Sequence, residues 1–190
     1  MSRWLSKFST QDLIIIAIIA ALGLAVKPVI TPIVHLVSAP LLIPGGSLAG
    51  GFYMLWFGLI VVLVPRKGSA ILTAFVQGVV TLIIGHFGHH GVMSILIYTA
   101  PGVAVEVVAL FFRDKSSVIA QTTICAGANL VGSLLVALLI MRLPTIPLAI
   151  SLTTALISGI GGGIVSYAII KQLKKHRFEL LTRETEGDSD

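Results

Sequence analysis

The sequence predicts an all-α membrane protein with six transmembrane helices and both termini in the cytoplasm. Of its 190 residues, 56% are hydrophobic and only 11% are charged, and the mean hydropathy is +1.02. A soluble domain carries about 25% charged residues, so this composition cannot cover a water-facing surface. Strands of a membrane barrel would alternate polar and apolar residues. The runs seen here are continuously apolar and suit helices that cross the bilayer.

Apolar runs separated by turn-forming residues define six segments. They are 11–30, 48–64, 70–85, 92–112, 118–140 and 148–171. The breaks carry proline, glycine or charged residues, as in Pro-Arg-Lys-Gly at 65–68. Ser9 and Asp12 match a capping box at the start of the first segment. We interpret that segment as a retained span rather than a cleaved signal peptide.

The placement of lysine and arginine sets the orientation. With the N-terminus inside, only Lys27 and Arg142 of the 13 basic residues fall on the outer side. Cytoplasmic loops carry such an excess of Lys and Arg, which places the chain as a multi-pass protein of the cell (cytoplasmic) membrane. We expect one six-helix domain at 1–173 and a charged cytoplasmic tail at 174–190. No basic stripe interleaved with aromatics indicates nucleic-acid binding.

Four of the five histidines map to the outer side: His35, His86, His89 and His90. Imidazoles there could bind a metal, contact a haem-like ligand or hydrogen-bond an organic substrate. The alternative is that they are interfacial polar residues of a glycine-rich loop. The outer loops contain no Asp, Glu or Cys. A metal site would therefore depend on His86, His89 and His90, which lack the glutamate of the H-E-x-x-H motif.

Polar side chains inside the segments are further candidates for substrate binding. Glu106 is the only carboxylate in a predicted span. Such a residue usually marks a ligand path or a proton site, or else joins two helices. Gln77 and Asn129 are weaker examples of the same choice, because amides commonly join helices in lipid.

The longest outer connection, residues 27–47, contains four prolines and is expected to be a loop. Irregular backbone at this depth can only cap the bundle or line a cavity, so we interpret this loop as a lid. Four aromatic residues map to the outer half: Tyr53, Trp56, Phe87 and Tyr98. Their rings could stack on a flat ligand or form the interfacial belt.

Small residues recur every four positions in the first segment, at Ala17, Ala21 and Ala25. Such a face lets helices approach closely. It either packs inside the bundle or forms a docking surface for another membrane subunit.

Together, the six segments, the inward termini and this alanine face resemble the S components of energy-coupling factor (ECF) transporters. The resemblance implies a substrate-binding subunit, not an enzyme, that captures a vitamin- or cofactor-like small molecule at the outer face. It implies that Ala17, Ala21 and Ala25 contact a T component. It also implies that two partner ATPases use the ATP, so the chain needs no cofactor of its own.

Residues 46–112 are most similar to the hydroxymethylpyrimidine and thiamine branch, sometimes labelled cobalt permease. Arg-Lys-Gly at 66–68, the turn at Gly85 and Val-Glu-Val at 105–107 carry this likeness. The third segment differs, because it has no acid and offers only Gln77. A thiamine precursor, a neutral pyrimidine, a haem- or corrinoid-like compound and a transition metal therefore all stay open as substrates. The other classes are a membrane enzyme and an assembly protein, although no catalytic constellation is visible.

Overall fold

A computed structural model describes residues 7–40, 44–84 and 93–187 of the chain, and the side chains of these residues as far as His176. The described residues are helical and contain no strand. The α-helices are α1 (Thr10–Ala25), α2 (Lys27–Ser38), α3 (Gly45–Leu63), α4 (Ser69–Ile84), α5 (Met93–Ala109), α6 (Val118–Leu135) and α7 (Thr145–Gly187), and a π-helical turn at Val136–Ile140 extends α6.

Each of the six predicted segments coincides with a helical unit. Within the described residues, four helical stretches are long and apolar enough to cross a membrane: Thr10–Ser38, Gly45–Leu63, Val118–Ile140 and Thr145–His176. Helices α4 and α5 are apolar but shorter, at 16 and 17 residues. The all-α class is therefore confirmed for the described residues. The number of spans and the side on which the termini lie stay predictions.

The prediction of a loop over residues 27–47 is wrong for its first part, because Lys27–Ser38 forms helix α2. Pro28 lies in the first turn of α2, where a backbone N–H would have no intrahelical partner. Pro32 lies inside the helix, which tolerates it despite the lost hydrogen bond. Proline therefore separates α2 from α1 without preventing a second helix.

The apolar core lies toward one end of the bundle, with α3 at its centre. Helix α3 packs against α1, α2, α4, α5, α6 and α7. Its last turn contributes Ile60 and Val61, and Val64 follows directly after the helix. All three are fully buried in the same cluster as Val105 of α5 and Ile124 of α6. The other half of the bundle is less densely filled and contains the cavity described below.

Polar contacts between basic residues and the helix connections mark the core end of the bundle. Arg66, in the turn between α3 and α4, donates from Nε to Oδ2 of Asp12 at 2.6 Å. Lys174 of α7 donates from Nζ to Oγ of Ser116 at 2.5 Å. The capping box is confirmed, because Ser9 and Asp12 exchange their hydrogen bonds. The basic residues at 66 and 174 thus share one end, as the predicted orientation requires.

Glycines allow α7 to lie directly against α3 and α6. A Cβ atom at Gly162 would overlap the carbonyl oxygen of Gly51, and one at Gly159 would crowd the backbone of Ala126. Ser158 adds polar contacts, because its Oγ donates to Leu48 O and accepts from Gly51 N at 2.9 Å. The glycine-rich stretch of α7 is therefore an internal packing surface.

Gly162→Ala is expected to destabilise the protein by about 1–3 kcal/mol, because the new methyl group forces α3 and α7 apart. Gly161→Ala is the matched control, since a Cβ there meets no atom within 4 Å. Thermal unfolding of both variants in the same detergent measures the difference. Equal melting temperatures would show that the two helices are not in close contact.

Candidate ligand-binding cavity

A cavity of about 580 Å³ lies at the end of the bundle away from the Asp12–Arg66 pair. This volume falls in the range of sites for small molecules. Its walls come from α2, α3, α4, α5 and the end of α6. The lining residues that can form polar contacts through their side chains are Lys27, Thr31, His35, Ser38, Ser47, Tyr53, Gln77, Tyr98, Asn129 and Ser133.

Helix α2 forms one wall with a single face. Lys27, Thr31, His35 and Ser38 line the cavity, and their spacing of three to four residues places them along one side of a helix. The opposite side is apolar and exposed, at Val29, Ile33, Leu36 and Val37. The predicted lid is thus an amphipathic helix whose polar side chains face the cavity.

Five polar residues of the lining were not predicted as binding residues: Lys27, Thr31, Ser38, Ser47 and Ser133. The most deeply buried positive group among them belongs to Lys27. Its side chain is only 8% exposed. The Nζ atom lies 3.8 Å from the ring centroid of Tyr98 and 5.3 Å from that of Tyr53. Tyr53 is fixed in turn by a hydrogen bond of 2.8 Å between its OH and Oγ1 of Thr31. Two of the predicted aromatic residues therefore hold an ammonium group against the cavity.

Gln77 and Asn129 both line the cavity and both join helices. Nε2 of Gln77 donates to Ala20 O at 3.4 Å, which links α4 to α1. Nδ2 of Asn129 donates to Ser47 O at 3.2 Å and to Ala155 O at 2.8 Å, which links α6 to α3 and α7. The helix-joining role of these amides is thus observed, and contact with a substrate stays a prediction.

Glu106 and Trp56 lie apart from the cavity lining. Oε1 of Glu106 accepts a hydrogen bond of 2.9 Å from the backbone N–H of Ala70, so Glu106 caps the start of α4. This contact corresponds to the helix-joining alternative. Trp56 packs against the core clusters, and its Nε1 is buried without a partner among the described residues.

The histidines divide between described and undescribed parts of the chain. His35 lines the cavity on α2. His86, His89 and His90 lie outside the described residues. Within the described part of the chain, no group of three or more His, Cys, Asp or Glu side chains could hold a metal ion. The metal site predicted at His86, His89 and His90 stays a prediction.

The alanine face of α1 points away from the bundle. Ala17, Ala21 and Ala25 are all exposed, whereas the buried side of α1 carries Ile16 and Ile19. The three alanines therefore do not pack inside this chain. They form a flat strip on the outer surface, as a docking surface would require.

Comparisons with known proteins agree with this architecture. A family model described as "ABC-type cobalt transport system, permease component" matches residues 11–131. A solved structure described as "Crystal structure of an S-component of ECF transporter" has a similar fold. Its TM-score is 0.70 at 18% sequence identity, over 94% of this chain and 98% of the other. A search of curated proteins found no match.

Proposed function

Because the chain belongs to the family of permease components of ABC-type cobalt transport systems, we propose that it is the substrate-binding S component of an ECF importer. It captures a vitamin- or cofactor-like small molecule at the outer face. The observation that carries this proposal is the cavity, which lies at the end of the bundle opposite Arg66 and Lys174. The similarity of its fold to an S component supports it.

The proposed membrane arrangement is consistent with the same geometry. The chain crosses the cytoplasmic membrane six times, with α1 and α2 forming the first crossing and both termini inside. The positively charged end then faces the cytoplasm, as the distribution of Lys and Arg favours. The cavity opens on the outer side, where α2 lies over it.

The partners supply the energy. A T component contacts the exposed strip of Ala17, Ala21 and Ala25, and two ATPases bound to the T component hydrolyse ATP. Small residues on an exposed helix face allow a partner helix to approach closely. The chain binds its cargo and needs no catalytic group of its own.

An organic cargo fits the cavity better than a metal ion. The lining contains an ammonium group, at Lys27, and no carboxylate. An ammonium repels a bare cation, and hard divalent ions prefer oxygen ligands such as carboxylates. Uptake of a metal would have to depend on His86, His89 and His90, which lie outside the described residues.

Purification of the tagged chain from its native membrane tests the proposal. We expect a T component and two ATPases to co-purify in mild detergent. Native mass spectrometry of the same sample is expected to show a bound organic molecule, and metal analysis distinguishes a metal cargo. A chain that carries neither partners nor ligand in freshly solubilised membranes would contradict the assignment.

A further inference from the structure

We propose that the cargo is an organic anion, and that its carboxylate or phosphate group pairs with Lys27 between the rings of Tyr53 and Tyr98. This inference rests on the proposed function, because it assumes that the cavity is the cargo site. It goes further by naming the charge of the cargo and the residue that selects it.

Among the described residues, no Asp or Glu side chain pairs with Lys27. The sequence has no Asp or Glu between Asp12 and Glu106, or between Asp114 and Glu179. Asp12 pairs with Arg66 at the core end, and Glu106 caps α4. The segments that the structure does not describe at 41–43 and 85–92 contain no acid either. No carboxylate of the bundle is therefore placed to neutralise this ammonium.

An unpaired charge on the buried Lys27 ammonium group would lower the stability of the folded protein. A buried ammonium loses its hydration, and burial is tolerated only when other groups compensate. The faces of Tyr98 and Tyr53 compensate in part, through cation–π contacts. An anionic group that enters the cavity completes the compensation. Its bond to Lys27 is charge-assisted and strong, because little water competes with it.

The start of helix α3 also favours a negatively charged ligand. Helix α3 begins at Gly45, and residues 44–47 line the cavity. The N-terminus of a helix presents backbone N–H groups and a partial positive charge. Ser38 lies beside it with a buried Oγ that has no partner among the described residues. A Cβ atom placed at Gly45 would lie 3.3 Å from this Oγ and 3.4 Å from Nδ1 of His35. The side chains of Ser38 and His35 therefore lie next to the N-terminus of α3.

A consequence is that cationic ligands are rejected. Thiamine carries a fixed positive charge, and it would meet both the Lys27 ammonium and the positive end of α3. Helix α2 therefore forms one wall of the cavity and also selects against cationic ligands. Its apolar side faces away from the cavity, and its polar side carries the only lysine of the lining.

Binding of matched pairs of compounds to the purified full-length chain tests the inference. The pairs are nicotinate with nicotinamide, pantothenate with pantothenol, biotin with biotinamide, and pyridoxal 5′-phosphate with pyridoxal, with thiamine as the cation. We expect at least one anion to bind about tenfold or more tightly than its neutral partner. The first three pairs report on a carboxylate and the fourth on a phosphate.

Lys27→Gln is expected to weaken binding of the preferred anion by about 10- to 100-fold and to leave its neutral partner nearly unchanged. Lys27→Arg retains the positive charge, so it is expected to keep the preference for the anion and to show that the site tolerates substitution. Tighter binding of neutral or cationic members, binding of no anion, or an unchanged affinity in Lys27→Gln would overturn the inference.

Co-purification separates this inference from the proposed function. If the T component and the ATPases bind the chain while the bound cargo is neutral or cationic, the S-component assignment stands and the anion inference fails. If anions bind through Lys27 while no partners are found, the anion inference stands and the S-component assignment fails.

Discussion

Replacing Ala17 and Ala21 with leucine is expected to abolish uptake and to leave ligand binding intact. Both alanines are exposed on α1, and neither lines the cavity. Leucine adds bulk to a strip that a partner helix must approach closely, so the T component can no longer dock. The binding site does not change, because α1 keeps its buried face.

Two measurements check this result. Co-purification of the T component and the ATPases is expected to fail for the double variant, whereas native mass spectrometry is expected to show the same bound cargo. Ala149→Leu is the matched control, because Ala149 is an exposed alanine on α7 and receives the same added bulk. Partners that remain bound to the Ala17 and Ala21 variant would refute the docking surface. Loss of partners in Ala149→Leu as well would make the effect nonspecific.

Much of the architecture could be predicted because apolar runs and basic loops are local features of the sequence. The boundary between α1 and α2 could not. Proline at positions 28 and 32 predicted an irregular loop, yet proline is compatible with the first turn of a helix and is tolerated inside one here. Whether these residues form an irregular loop or a helix depends on the packing of α2 against α3. The sequence therefore predicted a loop where the structure has a helix beside the cavity, and the role of this segment as a lid stays a prediction.

The cavity could be predicted in part for a similar reason. Tyr53, Tyr98, Gln77 and Asn129 were found because polar and aromatic side chains in apolar segments are visible one at a time. Lys27 was counted only as an exception to the positive-inside rule. Its spacing to Thr31, His35 and Ser38 indicates a shared helix face only when residues 27–38 are known to be helical. The role of Glu106 depends on the start of α4, 36 residues away in the chain.

The role of a second buried amide, Gln121, was not predicted, although its hydrogen bonds are as complete as those of Asn129. Gln121 of α6 donates from Nε2 to Gly58 O at 3.0 Å and to Lys115 O at 2.7 Å. Its Oε1 accepts from Oγ of Ser166 at 2.6 Å. Gln121 lies two turns from Asn129 on the same helix, at the core end, and does not line the cavity. The two amides therefore form a matched pair in which only Asn129 lines the cavity.

Asn129→Leu and Gln121→Met are both expected to lower the free energy of unfolding by about 2 kcal/mol, because each leaves buried backbone carbonyls without their donor. Both replacements retain the approximate shape of the amide. Only Asn129→Leu is expected also to lower affinity for the cargo, by about tenfold. Oδ1 of Asn129 holds only a 3.5 Å contact from Oγ of Ser133, so it can accept a hydrogen bond from a ligand.

Denaturation and ligand binding, measured on the same preparations, separate the two effects. If Gln121→Met weakens binding as much as Asn129→Leu, loss of affinity reflects loosened packing of α6 and not contact with the cargo. If Asn129→Leu unfolds more easily yet binds normally, Asn129 only joins helices, and the polar contacts to the cargo come from α2 and Gln77. A selective loss in Asn129→Leu extends the binding surface from Lys27 on α2 to α6, and so places the cargo across the full width of the cavity.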